Sequence, residues 1–361
     1  MERAHNFAAG PAALPTAVLL QAQEELLNFR GLGASVMEIS HRSAEFIAVA
    51  ETAEADLRDL LGITDDYAVL FLSGGATTQW ASVPFNLAQA GDTVDYVDTG
   101  AWSKKAIAEG RRFANVNVVA SSAASNYNHI PAQSAWKCSM EARYLHICGN
   151  ETIGGVQFHK APVTNPDVPL VADMSSELLS RPMDVSKYGV IYAGAQKNLG
   201  PAGITIVIVR RDLIGNARPG TPSMLDYKTH ADSGSMSNTP PTYSWYLAGL
   251  VFKWLKNLGG LKAVAAINQA KADALYRVID NSNYYTSPVP VENRSLMNVP
   301  FTLPSPDLDA VFLKGAVKHN LLNLKGHRSV GGMRASIYNA VTQESVAALV
   351  EYMTEFQRNH G

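Results

Sequence analysis

The chain of 361 residues is 47% hydrophobic and 17% charged, enough for a large buried core and two domains. A net charge of -2 leaves no basic excess, which argues against a nucleic-acid partner, and the longest apolar runs, such as residues 204–209, are far too short to cross a bilayer. Two cysteines, Cys138 and Cys148, lack metal-type spacing and read as reduced, partly buried thiols; with no leader pattern in Met1-Glu-Arg-Ala-His5, the expected setting is the cytoplasm, without metal or membrane contact.

The first 15 residues are rich in Ala, Gly and Pro and read as an extended arm. Helical periodicity follows in two pieces over residues 15–61, interrupted by Gly31-Leu-Gly33. From Tyr67 onward, short apolar runs alternate with helical stretches, and strands are expected at 67–73, 93–98, 116–120, 144–148, 170–173, 190–193 and 204–209. That alternation predicts an α/β fold with a mostly parallel sheet covered on both faces. Residues 213–241 form a Gly/Pro/Ser-rich irregular stretch, and loops of that length inside a domain usually serve a function. A helix is expected over 243–258, then a Gly259-Gly260 break and a longer helix over 261–281. From Asn293, strands at 297–302 and 333–337 and helices at 308–319 and 343–358 read as a smaller α/β domain. The expected division is a large domain over 16–260, with 1–15 and 261–361 forming the arm and small domain.

A single lysine, Lys197, sits in Tyr192-Ala-Gly-Ala-Gln-Lys-Asn-Leu-Gly-Pro-Ala-Gly203, between two apolar runs. A lysine between buried strands is unfavourable unless its amine is neutralised or used. The uses are a Schiff base with an aldehyde cofactor or a phosphate contact; the alternative is a surface lysine in a Gly-rich hairpin. Upstream, Val168-Pro-Leu-Val-Ala-Asp-Met-Ser-Ser176 is an apolar strand ending in an acid and small hydroxyl residues. Ligands bind at the carboxyl ends of strands in open parallel sheets, which puts Asp173 and Lys197 on one edge. Pyridoxal phosphate needs this pair, a lysine for its aldehyde and a carboxylate that keeps the pyridine nitrogen protonated. Asp173 taken alone reads first as a helix N-cap, a reading that gives way once it is paired with Lys197.

Three further segments carry chemistry. Ser73-Gly-Gly-Ala-Thr-Thr-Gln79 follows a strand and opens a helix, a phosphate cradle that matches neither nucleotide fingerprint. Trp102, in Asp98-Thr-Gly-Ala-Trp102, stands just past a strand end, where an indole either stacks on a flat ring or packs as a cap. His41, Arg42, Lys325, His327, Arg328 and Arg334 supply cations, and arginine forks bind carboxylate and phosphate bidentately.

In these segments together the chain resembles the phosphoserine aminotransferase family of class-V, fold type I aminotransferases. The resemblance rests on Phe7-Ala-Ala-Gly-Pro-Ala12, Ser35-Val-Met-Glu-Ile-Ser-His-Arg42, Asn150-Glu-Thr-Ile153, Ser180-Arg-Pro182, the Lys197 segment, Ser237-Asn-Thr-Pro-Pro-Thr242 and Gly326-His-Arg-Ser-Val-Gly-Gly-Met-Arg-Ala-Ser-Ile-Tyr-Asn339, and so spans nearly the whole chain. It implies a pyridoxal 5'-phosphate enzyme active as a homodimer with shared sites. Lys197 would form the Schiff base, Asp173 pair with the ring nitrogen, Trp102 stack on the ring and Thr152 bond its phenolic oxygen. Ala76, Thr77 and Gln196 would hold the cofactor phosphate, with Asn238 and Thr239 reaching it from the partner subunit. His41, Arg42, His327 and Arg328 would hold the substrate phosphate, and Arg334 the α-carboxylate. Two positions depart from the family pattern: Ala76-Thr77 stands where relatives carry Gly-Arg, and Ala8-Ala9 where relatives often have serines.

The implied reaction is reversible transamination of 3-phosphohydroxypyruvate with glutamate, giving phosphoserine and 2-oxoglutarate in serine biosynthesis. The transamination giving 4-phosphohydroxy-threonine, in pyridoxine biosynthesis, would be a second activity. A cysteine desulfurase needs a nucleophilic cysteine in its later half, and none follows Cys148. An alanine–glyoxylate type transaminase would not need the paired cations at His41/Arg42 and His327/Arg328. A non-catalytic scaffold would not need Lys197 and Asp173.

Overall fold

The computed structural model describes residues 3–361; Met1 and Glu2, the start of the arm, lie outside it. Its strands are β1 (His5–Asn6), β2 (Tyr67–Leu72), β3 (Thr93–Asp98), β4 (Asn115–Ser121), β5 (Leu145–Cys148), β6 (Asn150–Glu151), β7 (Val156–Gln157), β8 (Leu170–Asp173), β9 (Val190–Gly194), β10 (Thr205–Arg210), β11 (Asn298–Phe301), β12 (Leu321–Leu322) and β13 (Met333–Ser336). Its helices are α1 (Thr16–Glu24), α2 (Ala44–Leu61), α3 (Gly75–Leu87), α4 (Ala101–Gly110), α5 (Tyr227–Ala231), α6 (Thr242–Asn257), α7 (Gly260–Asp280), α8 (Asp307–Lys318) and α9 (Gln343–His360).

Seven strands form the central sheet in the order β2-β10-β9-β8-β5-β3-β4. Pairing from β9 through β4 is parallel, and β10 is antiparallel to both neighbours. The short connection from Gly194 to Thr205 leaves no room for a crossover helix, so β10 returns beside β9 as a hairpin. Because β10 opposes both β2 and β9, those two run the same way. One edge therefore gathers the carboxyl ends of β2, β3, β5, β8 and β9.

Both faces of the sheet are covered, which explains the unbroken apolar runs in the sequence. Along β2, Val69 and Phe71 join one cluster with Phe46, Trp245 and Phe252, while Ala68, Leu70 and Leu72 join the other with Trp80, Tyr96 and Tyr192. A third cluster gathers Leu275, Phe301, Phe312, Leu349 and Phe356 from α7, β11, α8 and α9. Phe7 belongs to it too: the arm is anchored by parallel pairing of β1 with β12.

Two expectations need correction. The stretch 213–241 is not wholly irregular: the Asp226 carboxylate accepts from Lys228 N–H at 2.9 Å and starts α5, while buried Tyr227 donates to Gln79 Oε1 at 2.9 Å. The two cysteines also differ, Cys148 being buried on β5 and Cys138 exposed in the loop before it. No helix of the described residues is long and apolar enough to cross a membrane.

Candidate active site

Asp173 ends β8 and Lys197 follows β9 by three residues, so neighbouring strands deliver both to the same sheet edge. Asp173 is buried, and its Oδ1 accepts the N–H and hydroxyl of Ser175 at 3.0 and 2.7 Å. The Ser175 hydroxyl in turn accepts Gly194 N–H at 3.0 Å and ties the two strand ends together. This is an Asx turn at Oδ1, not the helix N-cap open from sequence, and it leaves Oδ2 for a partner. Burial raises the Asp173 pKa, opposed by the Ser175 bonds and by the charge of Lys197.

Lys197 Nζ donates to Thr152 Oγ1 at 2.6 Å. Burial of the amine lowers its pKa, against attraction from Asp173, Cys148 and Glu151. A lysine so placed holds more neutral amine than one in water and is a ready nucleophile and base. The arm runs across its stem: a Cβ on Gly10 would lie 3.4 Å from Lys197 Cγ, and Ala12 N–H donates to the Gln196 carbonyl at 2.9 Å.

The Ser73-to-Thr78 segment opens α3, with Gly74 as its left-handed cap at φ 97°. A Cβ there would lie 2.0 Å from Thr78 Oγ1, so only glycine fits. The first-turn N–H groups of Gly75, Ala76 and Thr77 have no helical acceptor and face outward for an anion. Thr78 spends its hydroxyl proton on the Gly74 carbonyl at 3.0 Å, which leaves the exposed Thr77 hydroxyl as the free one. Asn238 lines a 220 Å³ cavity with Ser73, Gly74 and Thr78 of its own chain, and Thr239 is exposed beside it.

Trp102 lies in the first turn of α4, with Lys197 Nζ 5.4 Å from its ring centroid and Lys105 Nζ 4.4 Å away. Its buried Nε1 has no hydrogen-bond partner among the described residues. Arg334, on β13, donates to the Thr152 carbonyl at 3.3 Å, and its buried Nε is likewise unpartnered. His327 lies in the loop before β13, and burial and the charges of Arg334, Arg328 and Lys105 lower its pKa. The charges of Arg334, Arg328 and Lys105 thus all act on His327 and disfavour its protonated form, and Lys105 links this group to Trp102. His41 and Arg42 stand apart, ahead of α2, where Arg42 Nε donates to His41 Nε2 at 3.3 Å.

Residues 4–349 match the sequence profile of the family Aminotransferase class-V. The chain belongs to that family. It is similar to the phosphoserine aminotransferase of Azotobacter vinelandii, 61% identical over all of this chain and 99% of the relative. The solved phosphoserine aminotransferase from Bacillus circulans subsp. alkalophilus superposes with a TM-score of 0.98 at 48% identity, covering 100% of both chains. A pyridoxal-phosphate-bound phosphoserine aminotransferase from Trichomonas vaginalis gives 0.93 at 42%, covering 98% of this chain and 100% of that one.

In this aminotransferase three site features escaped the sequence reading. Ser175 was legible in principle, since Asp-x-Ser after a strand is an Asx-turn signal. Lys105 had a helical signal only, the i, i+3 spacing from Trp102. Glu151 had none: it is buried and caps α4 from 49 positions away in sequence.

Proposed function

We propose that the chain catalyses reversible transamination between glutamate and 3-phosphohydroxypyruvate, giving phosphoserine and 2-oxoglutarate, with pyridoxal 5'-phosphate as cofactor. The observation that carries this is Lys197 and Asp173 on one sheet edge in a chain 61% identical, end to end, to a phosphoserine aminotransferase. The residues present fit the cofactor. The buried Asp173 carboxylate lies close enough to the half-buried Lys197 for its charge to act on the amine, and the start of α3 offers backbone N–H groups without helical acceptors.

When bound, pyridoxal phosphate supplies an aldehyde with which amino groups condense and a ring that takes up the electron pair released at the substrate Cα. Lys197 Nζ would remove the Cα proton as general base and, as general acid, would deliver it to the former aldehyde carbon of the cofactor rather than back to Cα. Thr152 orients that amine, and Asp173 holds a proton at the ring nitrogen. Trp102 would cover one face of the ring. Ala76 and Thr77 N–H groups, with Gln196, Asn238 and Thr239, hold the cofactor phosphate. Arg334 would take the α-carboxylate and His327 and Arg328 the substrate phosphate, whose charge a single arginine would not balance; His41 and Arg42, which stand apart from them within one chain, would join them only across the dimer.

The active form is a homodimer, with Asn238 and Thr239 reaching the partner subunit's cofactor phosphate. Leu20, Leu27, Leu32, Met37 and Ile47 are all exposed in the stretch of chain that carries His41 and Arg42, and apolar side chains exposed in such number favour cover by a second copy. Residues 16–260 form the cofactor domain, and 1–15 with 261–361 the smaller one, a division supported by the separate cluster around Phe7, Phe301 and Phe312. Two unpaired cysteines support a cytoplasmic setting.

The test is a single-turnover spectrum. Phosphoserine is expected to convert the visible band of the cofactor-loaded protein rapidly, and alanine slowly. Equal conversion by alanine would move the assignment to a general small-substrate transaminase, and absence of any band after adding pyridoxal phosphate would overturn it.

A further inference from the structure

We propose that Glu151 is a positioning residue, which sets Trp102 against Lys197 by capping helix α4 with its carboxylate. The proposal rests on the pyridoxal-phosphate function above and adds a residue to it.

Glu151 is 0% exposed, and its two oxygens are divided between consecutive amides. Oε2 accepts Trp102 N–H at 2.9 Å, and Oε1 accepts Ser103 N–H at 2.8 Å. The cap residue of α4 is Gly100, which has no side chain to do this work. The carboxyl sits in the space a side chain would fill, since a Cβ on Gly100 would lie 2.4 Å from Glu151 Cδ. The Ser103 hydroxyl accepts the N–H groups of Thr99 and Gly100 at 2.9 Å each, so the helix start is tightly saturated. A carboxylate at a helix N-terminus is favoured by the helix dipole. Here that field and the two N–H bonds act against the burial that raises the Glu151 pKa.

The cap is remote, and its place in the chain gives it a second consequence. Glu151 and Thr152 are consecutive residues at the β6–β7 hairpin, which the Gly155 N–H to Glu151 carbonyl bond closes at 2.8 Å. Glu151 holds the Trp102 backbone, and Thr152 holds Lys197 Nζ at 2.6 Å. One hairpin therefore fixes both Trp102 and Lys197, between which the cofactor ring would bind. A local Ser or Asp cap would saturate α4 equally well but would leave the indole and the lysine without a common support.

Glu151→Gln is nearly isosteric, yet its amide turns N–H against N–H at one of the two bonds. The experiment titrates cofactor-free full-length protein with pyridoxal phosphate as a double-mutant cycle: unsubstituted, E151Q, W102A and E151Q with W102A. E151Q is expected to bind the cofactor about tenfold more weakly, the scale of one charge-assisted hydrogen bond. In the W102A background, which has no ring for the cap to position, the same change is expected to alter affinity by no more than about twofold. The visible circular dichroism of the bound cofactor is expected to fall in E151Q. Glu151→Asp keeps the charge but withdraws it by one methylene; it goes through the same cycle with the same expected coupling. Affinity of E151Q and E151D equal to the unsubstituted protein, or equal losses with and without Trp102, would overturn the positioning role. Failure of the unsubstituted protein to bind pyridoxal phosphate would instead overturn the function on which it rests.

Discussion

Replacing Lys271 by methionine should loosen the support beneath Arg334, and by an amount that depends on pH. Lys271, on α7, is 1% exposed and donates to three carbonyls, those of Ile337, Tyr338 and Val341, at 2.9, 2.8 and 2.9 Å. They lie in the turn that follows β13, the strand of Arg334. The same turn reaches the lysine loop, where Asn339 N–H donates to Asn198 Oδ1 at 3.0 Å. Methionine fills the volume but leaves three buried carbonyls without a donor, at roughly 1–3 kcal/mol for each that water does not reach. Burial lowers the Lys271 pKa from 10.5 to about 7. The folded state therefore binds this proton more weakly than the unfolded state, and stability rises with pH between those two values. Below about 7 both states are protonated and the full penalty of the buried charge applies; above it the penalty is progressively relieved. From pH 7 to pH 9 the unsubstituted protein should gain roughly 2 kcal/mol relative to K271M. Urea unfolding of both proteins, cofactor-loaded, at the two pH values reads this as a widening gap. A gap of the same size at pH 7 and pH 9 would show that the three carbonyls hold the ammonium form throughout, and would refute the reasoning.

Other substitutions address the site directly. Lys197→Ala should abolish steady-state transamination while leaving the thermal unfolding of the cofactor-free protein within a few degrees; measurable turnover would contradict its role as base. Thr152→Val removes the acceptor at 2.6 Å from Lys197 Nζ and should lower the amine pKa further. The pH midpoint for capture of pyridoxal phosphate should then move down by up to about one unit, and no movement or an upward one would count against that hydrogen bond. Arg334→Leu should raise the KM for glutamate at least about tenfold with little change in cofactor affinity, since an arginine–carboxylate pair is lost. Arg42→Ala should weaken phosphoserine far more than it weakens alanine, measured as the ratio of kcat/KM values; equal losses would sink the phosphate role.

The strands and the lysine–aspartate pair were legible because their signals are local. An apolar run such as Ile206 to Val209 marks a strand buried on both faces whatever lies beside it. Lys197 stood out because burial of an amine needs a reason that its neighbours in sequence do not provide. The tighter assignments, Thr152 to the phenolic oxygen of the cofactor and Arg334 to a carboxylate, came from family resemblance, since no spacing in the chain connects residues so far apart, and the bond from Lys197 to Thr152 emerged only in the fold. The reversed direction of β10 is missed in the apolar pattern, which does not distinguish strand direction, although the connection from Gly194 to Thr205 is too short for a crossover helix. Nor did that pattern give α5, where one aspartate cap and one buried tyrosine outweigh the Gly/Pro/Ser composition around them. The Glu151 carboxylate is the clearest case of what only tertiary structure decided. In sequence it is one acid among 32 acidic residues, with nothing to separate it from a solvated surface charge. Only folding brings it under a helix start that lacks a capping side chain, because contacts across such separations depend on the packed sheet edge and not on any local preference of the chain.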